Sequence, residues 1–126
     1  MKIRSYVKLN ESSRKVLLNN FLKLVNSQWT VYAHHMTIVY NKSLTEIGLN
    51  NDIGKEVNLN VTHYGYNEAC FAVAVNGYLS TNKTPHITIA VNEKSGGKQV
   101  MSNYITDWLP LEHSIVVRGI IYEGYD

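Results

Sequence analysis

The feature that most limits what this chain can become is a period-two alternation of apolar and polar residues, broken by one strong helical period. Lys2 to Leu9 alternates cleanly: Ile3, Ser5, Val7 and Leu9 fall on one side, Lys2, Arg4, Tyr6 and Lys8 on the other. Side chains two apart on a strand point the same way, so this is a strand with one covered face and one basic, aromatic face. The helical period follows at once. Asn10 or Ser12 can start a helix whose Leu17, Leu18, Phe21, Leu22 and Val25 form an apolar stripe flanked by Lys15, Asn19 and Lys23. Asn26-Ser27 ends it.

Beyond the helix the strand pattern returns. A strand is expected over Thr30–Tyr40, then a polar loop over Asn41–Asn51 with one short helical turn. Val57–Tyr66 alternates, with Val57, Leu59, Val61 and His63 opposite Asn58, Asn60, Thr62, Tyr64 and Tyr66. Tyr66-Asn67-Glu68 makes the turn of a hairpin into Cys70–Asn76. Gly77–Thr84 is a loop, and Pro85 opens a strand over His86–Asn92. Ser95-Gly96-Gly97 precedes a short helix near Lys98–Trp108, Pro110 stops it, and His113–Tyr122 is the last strand. The order is β-α-β, a hairpin, then β-α-β. It predicts an α+β fold of two similar lobes, and 126 residues fit one domain spanning 1–126.

Composition narrows the partners. The net charge is +2 and the basic residues are dispersed. A duplex-binding protein would carry a basic stripe, whereas a small anionic ligand needs only two or three placed cations. Nine tyrosines against two phenylalanines suit half-buried strands, and some can line a wet cleft. One cysteine, Cys70, permits neither an intrachain disulfide nor a Cys-based zinc motif. The five histidines lack the usual helical metal spacing, so no metal or cofactor is expected. Met1–Leu9 lacks the apolar run of a signal peptide and no segment approaches a membrane-spanning length, which predicts a cytoplasmic protein without a membrane partner.

Two segments repeat one pattern: His35-Met36-Thr37-Ile38 and His86-Ile87-Thr88-Ile89. Each sits in a predicted strand, so His35 and Thr37 share a face, as do His86 and Thr88, while Met36, Ile38, Tyr40, Ile87, Ile89 and Val91 take the opposite one. The apolar residues can pack on a helix, leaving imidazoles and hydroxyls to look into a cleft. That arrangement suits phosphodiester cleavage without a metal. A neutral imidazole takes a proton from the attacking oxygen and a protonated one gives a proton to the leaving oxygen. The threonine hydroxyls can hold the non-bridging phosphate oxygens.

Paired His-x-Thr motifs about fifty residues apart, each in a strand, resemble those of the two-histidine (2H) phosphoesterases. The resemblance implies two pseudo-symmetric lobes of antiparallel strands with outer helices around a central cleft. It also implies phosphodiesterase activity, as in RNA 2′,3′-cyclic phosphodiesterases and ligase-like proteins. More narrowly, Ala33-His34-His35-Met36-Thr37-Ile38 and the short chain are similar to the phage anti-CBASS nucleases, which degrade cyclic di- and trinucleotide immune signals in the host cytoplasm. Carried over by position, His35, Thr37, His86 and Thr88 form the catalytic set, Tyr6 is a base-contacting aromatic, and Tyr64 or Tyr66 stands where the family pattern leads one to expect tryptophan.

Other residues carry two readings each. Tyr6, with Arg4 and Lys8, either stacks a base beside a phosphate or forms a solvated strand face. Lys83 either reaches a phosphate or is solvated. Arg118 is a phosphate clamp or a buried ion-pair partner of Glu112 or Glu123. His63 is expected in the core or at its boundary, His34 away from His35, and His113 at the surface. The leading expectation is hydrolysis of 3′–5′ bonds in a cyclic di- or trinucleotide, by a 2′-hydroxyl or by water. The alternatives are opening of 2′,3′-cyclic phosphates at RNA ends, or a sponge that binds cyclic nucleotides without cleaving them. No obligate protein partner is inferred.

Overall fold

The computed structural model describes residues 2–125, and strands dominate it. In chain order they run β1 (Ile3–Leu9), α1 (Glu11–Phe21), β2 (Thr30–Val31), β3 (His35–Tyr40), β4 (Glu56–Tyr66), β5 (Cys70–Asn76), β6 (His86–Val91) and β7 (Trp108–Tyr125). Short 3-10 turns occupy Leu22–Leu24, Asn50–Asp52, Glu93–Ser95 and Gln99–Tyr104. The strands form one antiparallel sheet in the order β2-β6-β3-β1-β7-β4-β5, and β5 pairs again with β6. That second pairing closes six strands into a barrel, with β2 lying beside β6 past the point where β3 pairs with it. Closure leaves few open edges. The fold is α+β, as the sequence predicts at that level.

The expected helix begins where its cap allows. The Asn10 side chain accepts the Ser13 backbone N–H at 2.8 Å, a contact typically worth about 1 kcal/mol. Leu17 and Phe21 then enter the main core with Val7, Met36, Ile38, Ile87, Ile89, Val117 and Ile121. Fully burying a side chain of this size contributes roughly 1.5–3 kcal/mol. After Phe21 the helix tightens into the 3-10 turn, which leaves Leu22 exposed.

A second, smaller cluster lies on the other face of β5 and β6, formed by Cys70, Ala72, Val91 and Ile105, with Tyr32, Met101 and Trp108 packed against it. The turn Gln99–Tyr104 covers it in place of the helix expected to Trp108. Trp108 instead opens β7, because it pairs with Gly65 of β4. The last strand therefore starts before Pro110, which lies within β7 and stops no helix. The strand expected over Thr30–Tyr40 is also interrupted. Ala33 is buried in a left-handed conformation (φ 63°) and separates β2 from β3.

Three bulges reset the alternation. Between β1 and β3 the register passes from Ser5↔Val39 to Tyr6↔Thr37, leaving Ile38 as the extra residue. Between β5 and β6 it passes from Phe71↔Ala90 to Ala72↔Thr88, leaving Ile89 extra. On β4 it passes from Val61 to His63, leaving Thr62 extra. A bulge re-aims the side chains beyond it. No helix among the described residues is long and apolar enough to cross a membrane.

Candidate active site

β3 and β6 are neighbours, joined antiparallel at Met36↔Ile87. With those two side chains buried in the core, the residues on either side of each face the opposite way. His35, Thr37, His86 and Thr88 thus emerge together, and all four line one cleft of about 580 Å³. In such a register the two histidines are diagonal neighbours, on the order of 7–8 Å apart. The bulges give both motifs the same local form, since each places its extra residue immediately after the threonine.

The two imidazoles are held differently. His86 Nδ1 donates to the Thr84 carbonyl at 2.8 Å, because a carbonyl only accepts. Its Nε2 is left toward the cleft. His35 Nε2 lies 3.1 Å from Arg4 Nη2. A guanidinium only donates, so this nitrogen is the acceptor and the ring is neutral there, with its proton on Nδ1. Burial, then the positive charges of Arg4, His34 and His86, lowers the His35 pKa to about 4. Burial also lowers that of His86, against an opposing pull from the Thr84 carbonyl. Thr88 Oγ1 is fixed by Ser102 Oγ at 2.8 Å. The Thr37 carbonyl accepts from Ser80 Oγ at 2.8 Å, which ties the 79–84 loop to β3.

Sequence reasoning missed part of the lining. Tyr40 was expected on the apolar face, and the Ile38 bulge turns it into the cleft. Arg4 comes from β1, Asn82 from the loop before β6, and Gln99 and Asn103 from the 3-10 turn. Arg4 could have been found from its place on the Tyr6 face. The three amides carry no local signal, because the fold alone brings them there. A second chamber of about 390 Å³ shares Asn82 and Asn103 with the first and is walled by Lys83, Ser102, Ile105 and Trp108. The Trp108 and His86 ring centres are 6.5 Å apart.

The remaining predicted residues separate. Tyr6 is beside the cleft rather than in its wall: its ring packs 4.9 Å from His35 and 5.1 Å from Tyr122, with the Arg4 guanidinium 4.8 Å away. Lys83 is exposed and lines the second chamber. Tyr64 is a correction. The Thr62 bulge turns it into the main core, against Phe21 and Phe71, away from the cleft. Tyr66 follows it, stacked on Phe71 and exposed. Arg118 is a second correction, neither buried nor in the cleft: it is exposed on β7, opposite Asn58. His63 is half-buried with Nδ1 at 2.8 Å from Thr62 Oγ1, and His34 and His113 are exposed. Among the described residues no group of three His, Cys, Asp or Glu side chains is gathered to hold a metal ion.

No family model, curated protein or solved structure matches this chain. The site's chemistry must be argued from its own residues. One cavity gathers one neutral imidazole, one imidazole backed by a carbonyl, two hydroxyls and an arginine, the kinds of group from which acid–base sites for anions are built.

Proposed function

We propose that this protein is a phosphodiesterase of the two-histidine type that opens 3′–5′ bonds in cyclic di- or trinucleotides. The observation that carries the reading is the convergence of both complete His-x-Thr pairs on one cleft with an arginine in its wall. On this reading β1-α1-β3 and β5-β6 with its 3-10 turn are two pseudo-symmetric lobes about that cleft. The shared bulge after each threonine supports it.

The hydrogen bonds support one division of roles. His35, neutral at Nε2, is the base and takes the proton of the attacking oxygen, a ribose 2′-hydroxyl or a water. His86, when protonated, donates Nε2–H to the leaving oxygen while Nδ1–H stays on the Thr84 carbonyl, which stabilises the imidazolium. Thr37 and Thr88 donate to non-bridging oxygens, and Ser102 keeps Thr88 in the rotamer that does so. The phosphate's negative charge raises both histidine pKa values and so helps His86 to be protonated when it is needed. No step requires a metal.

The second chamber favours a ligand with more than one base. The main cleft has the size of an ordinary small-molecule site, and the annex behind Asn82 and Asn103 adds an aromatic wall, Trp108, and a cation, Lys83. An enzyme of this kind carried by a phage would destroy the alarm signal of its host.

The test is chromatography of cyclic dinucleotides, cyclic trinucleotides and RNA ends bearing 2′,3′-cyclic phosphate after incubation with EDTA-treated protein. The reading expects linear products from the cyclic oligonucleotides, undiminished by EDTA. Turnover of the RNA ends alone would shift the assignment to RNA processing. Bound but intact cyclic nucleotide after long incubation would make the protein a sponge.

A further inference from the structure

His35 faces the cleft with its working nitrogen already engaged. Arg4 Nη2 donates to His35 Nε2 across 3.1 Å, and a lone pair held in a hydrogen bond cannot accept a proton. The same guanidinium lines the cavity in which a phosphate would sit. Its planar N–H groups bind phosphate oxygens through charge-assisted, often bidentate bonds, stronger than a bond to a neutral imidazole. The Tyr6 ring, 4.8 Å from Arg4 Cζ, gives the guanidinium a flat surface to slide over while it changes partner.

We propose that Arg4 is a substrate-displaced latch. In the empty protein it holds His35 as the neutral Nδ1–H tautomer, and when a phosphodiester enters it moves to a non-bridging oxygen and frees Nε2 to act as base. The proposal rests on the phosphodiesterase reading and extends it, because it makes the base available only when an anion is present. Arg4 stays protonated throughout. The proton that His35 takes comes from the attacking hydroxyl.

The surroundings of His35 decide what removing Arg4 should do. From β1 it faces Arg4 and Tyr6, with Lys8 opposite it in register; from β6 it faces His86, and His34 is its neighbour on the chain. Tyr122 of β7 stands behind Tyr6. Burial is the largest cause of the lowered pKa and would persist without Arg4, whose positive charge comes next.

The experiment records 15N shifts of the His35 ring nitrogens in wild type, Arg4→Gln and Arg4→Lys, as functions of pH and of added inorganic phosphate, with kcat on a cyclic dinucleotide measured in parallel. Far-UV circular dichroism checks that each variant is folded. In Arg4→Gln the His35 pKa should rise above about 4 while staying below 6.5. Phosphate should raise it more in wild type than in the glutamine variant, kcat should fall on the order of a hundredfold, and Arg4→Lys should recover part of both effects. An unchanged His35 pKa in Arg4→Gln, or an equal response to phosphate in both proteins, overturns the latch even if the enzyme cleaves diesters. Ring shifts as expected, with no phosphodiester cleaved by wild type, support an anion-displaced arginine and remove the phosphodiesterase reading instead.

Discussion

At the scale of single residues, the two imidazoles are set apart by one partner each: an arginine that can only donate and a carbonyl that can only accept. The pH dependence follows. In the free protein His35, proposed as the base, loses its proton near pH 4, and His86, proposed as the acid, loses its own below the ordinary value of 6.5. A profile of kcat/KM, which reports the free enzyme, should therefore be a bell confined between about pH 4 and 6.5. The kcat profile should shift to higher pH, because the bound phosphate raises both groups. A kcat/KM that stays flat across that interval and above it would contradict the assignment. That His35, Thr37, His86 and Thr88 share one cleft could be read from the chain, because strand alternation alone puts each His and Thr on one face. The same alternation puts Arg4 on the Tyr6 face, but nothing local sets it apart from Lys2 or Lys8 there, and only the fold brings it to His35. Tyr64 was misread for a different reason. Its face depends on Thr62 standing out of register, and no local pattern announces a bulge.

At the scale of elements, what could be anticipated is what local forces control. The Asn10 cap, the alternation of β1 and the apolar run of β5 give nearly the same starts and strand bounds from sequence and from structure. The ends of β3 and β7 do not. The first depends on a left-handed Ala33, the second on pairing of Trp108 with Gly65, a partner far away in sequence. Gly65 shows how closely these elements meet. A Cβ there would lie 2.7 Å from Ile105 Cγ2, 2.9 Å from the Asp107 carbonyl oxygen and 2.9 Å from Trp108 Cε3. Because backbone is among the obstacles, Gly65→Ala should destabilise the protein by about 1–3 kcal/mol. It should also move the Trp108 side of the second chamber. Denaturant unfolding checks the first effect and tryptophan fluorescence of the folded variant the second. Wild-type stability in Gly65→Ala would mean that the 105–108 segment yields easily and does not form a fixed wall.

At the scale of the molecule, closure by β5 and β6 makes the two halves share one sheet and one main core. Trp29 packs against that core and Trp108 against the smaller cluster on the far side of β5 and β6. A single barrel should unfold in one step, so tryptophan fluorescence and far-UV circular dichroism should give coincident denaturation curves. Separate transitions would mean lobes that are stable on their own. The cleft exists only because the closed sheet brings β3 and β6 side by side, and the account depends on the histidines of those two strands acting on one phosphorus. The most direct measurement is the turnover of a cyclic dinucleotide by His35→Ala and by His86→Ala, each shown to be folded and each assayed in EDTA beside wild type. Either substitution should lower kcat at least about a hundredfold. Near-normal turnover by either variant would contradict it.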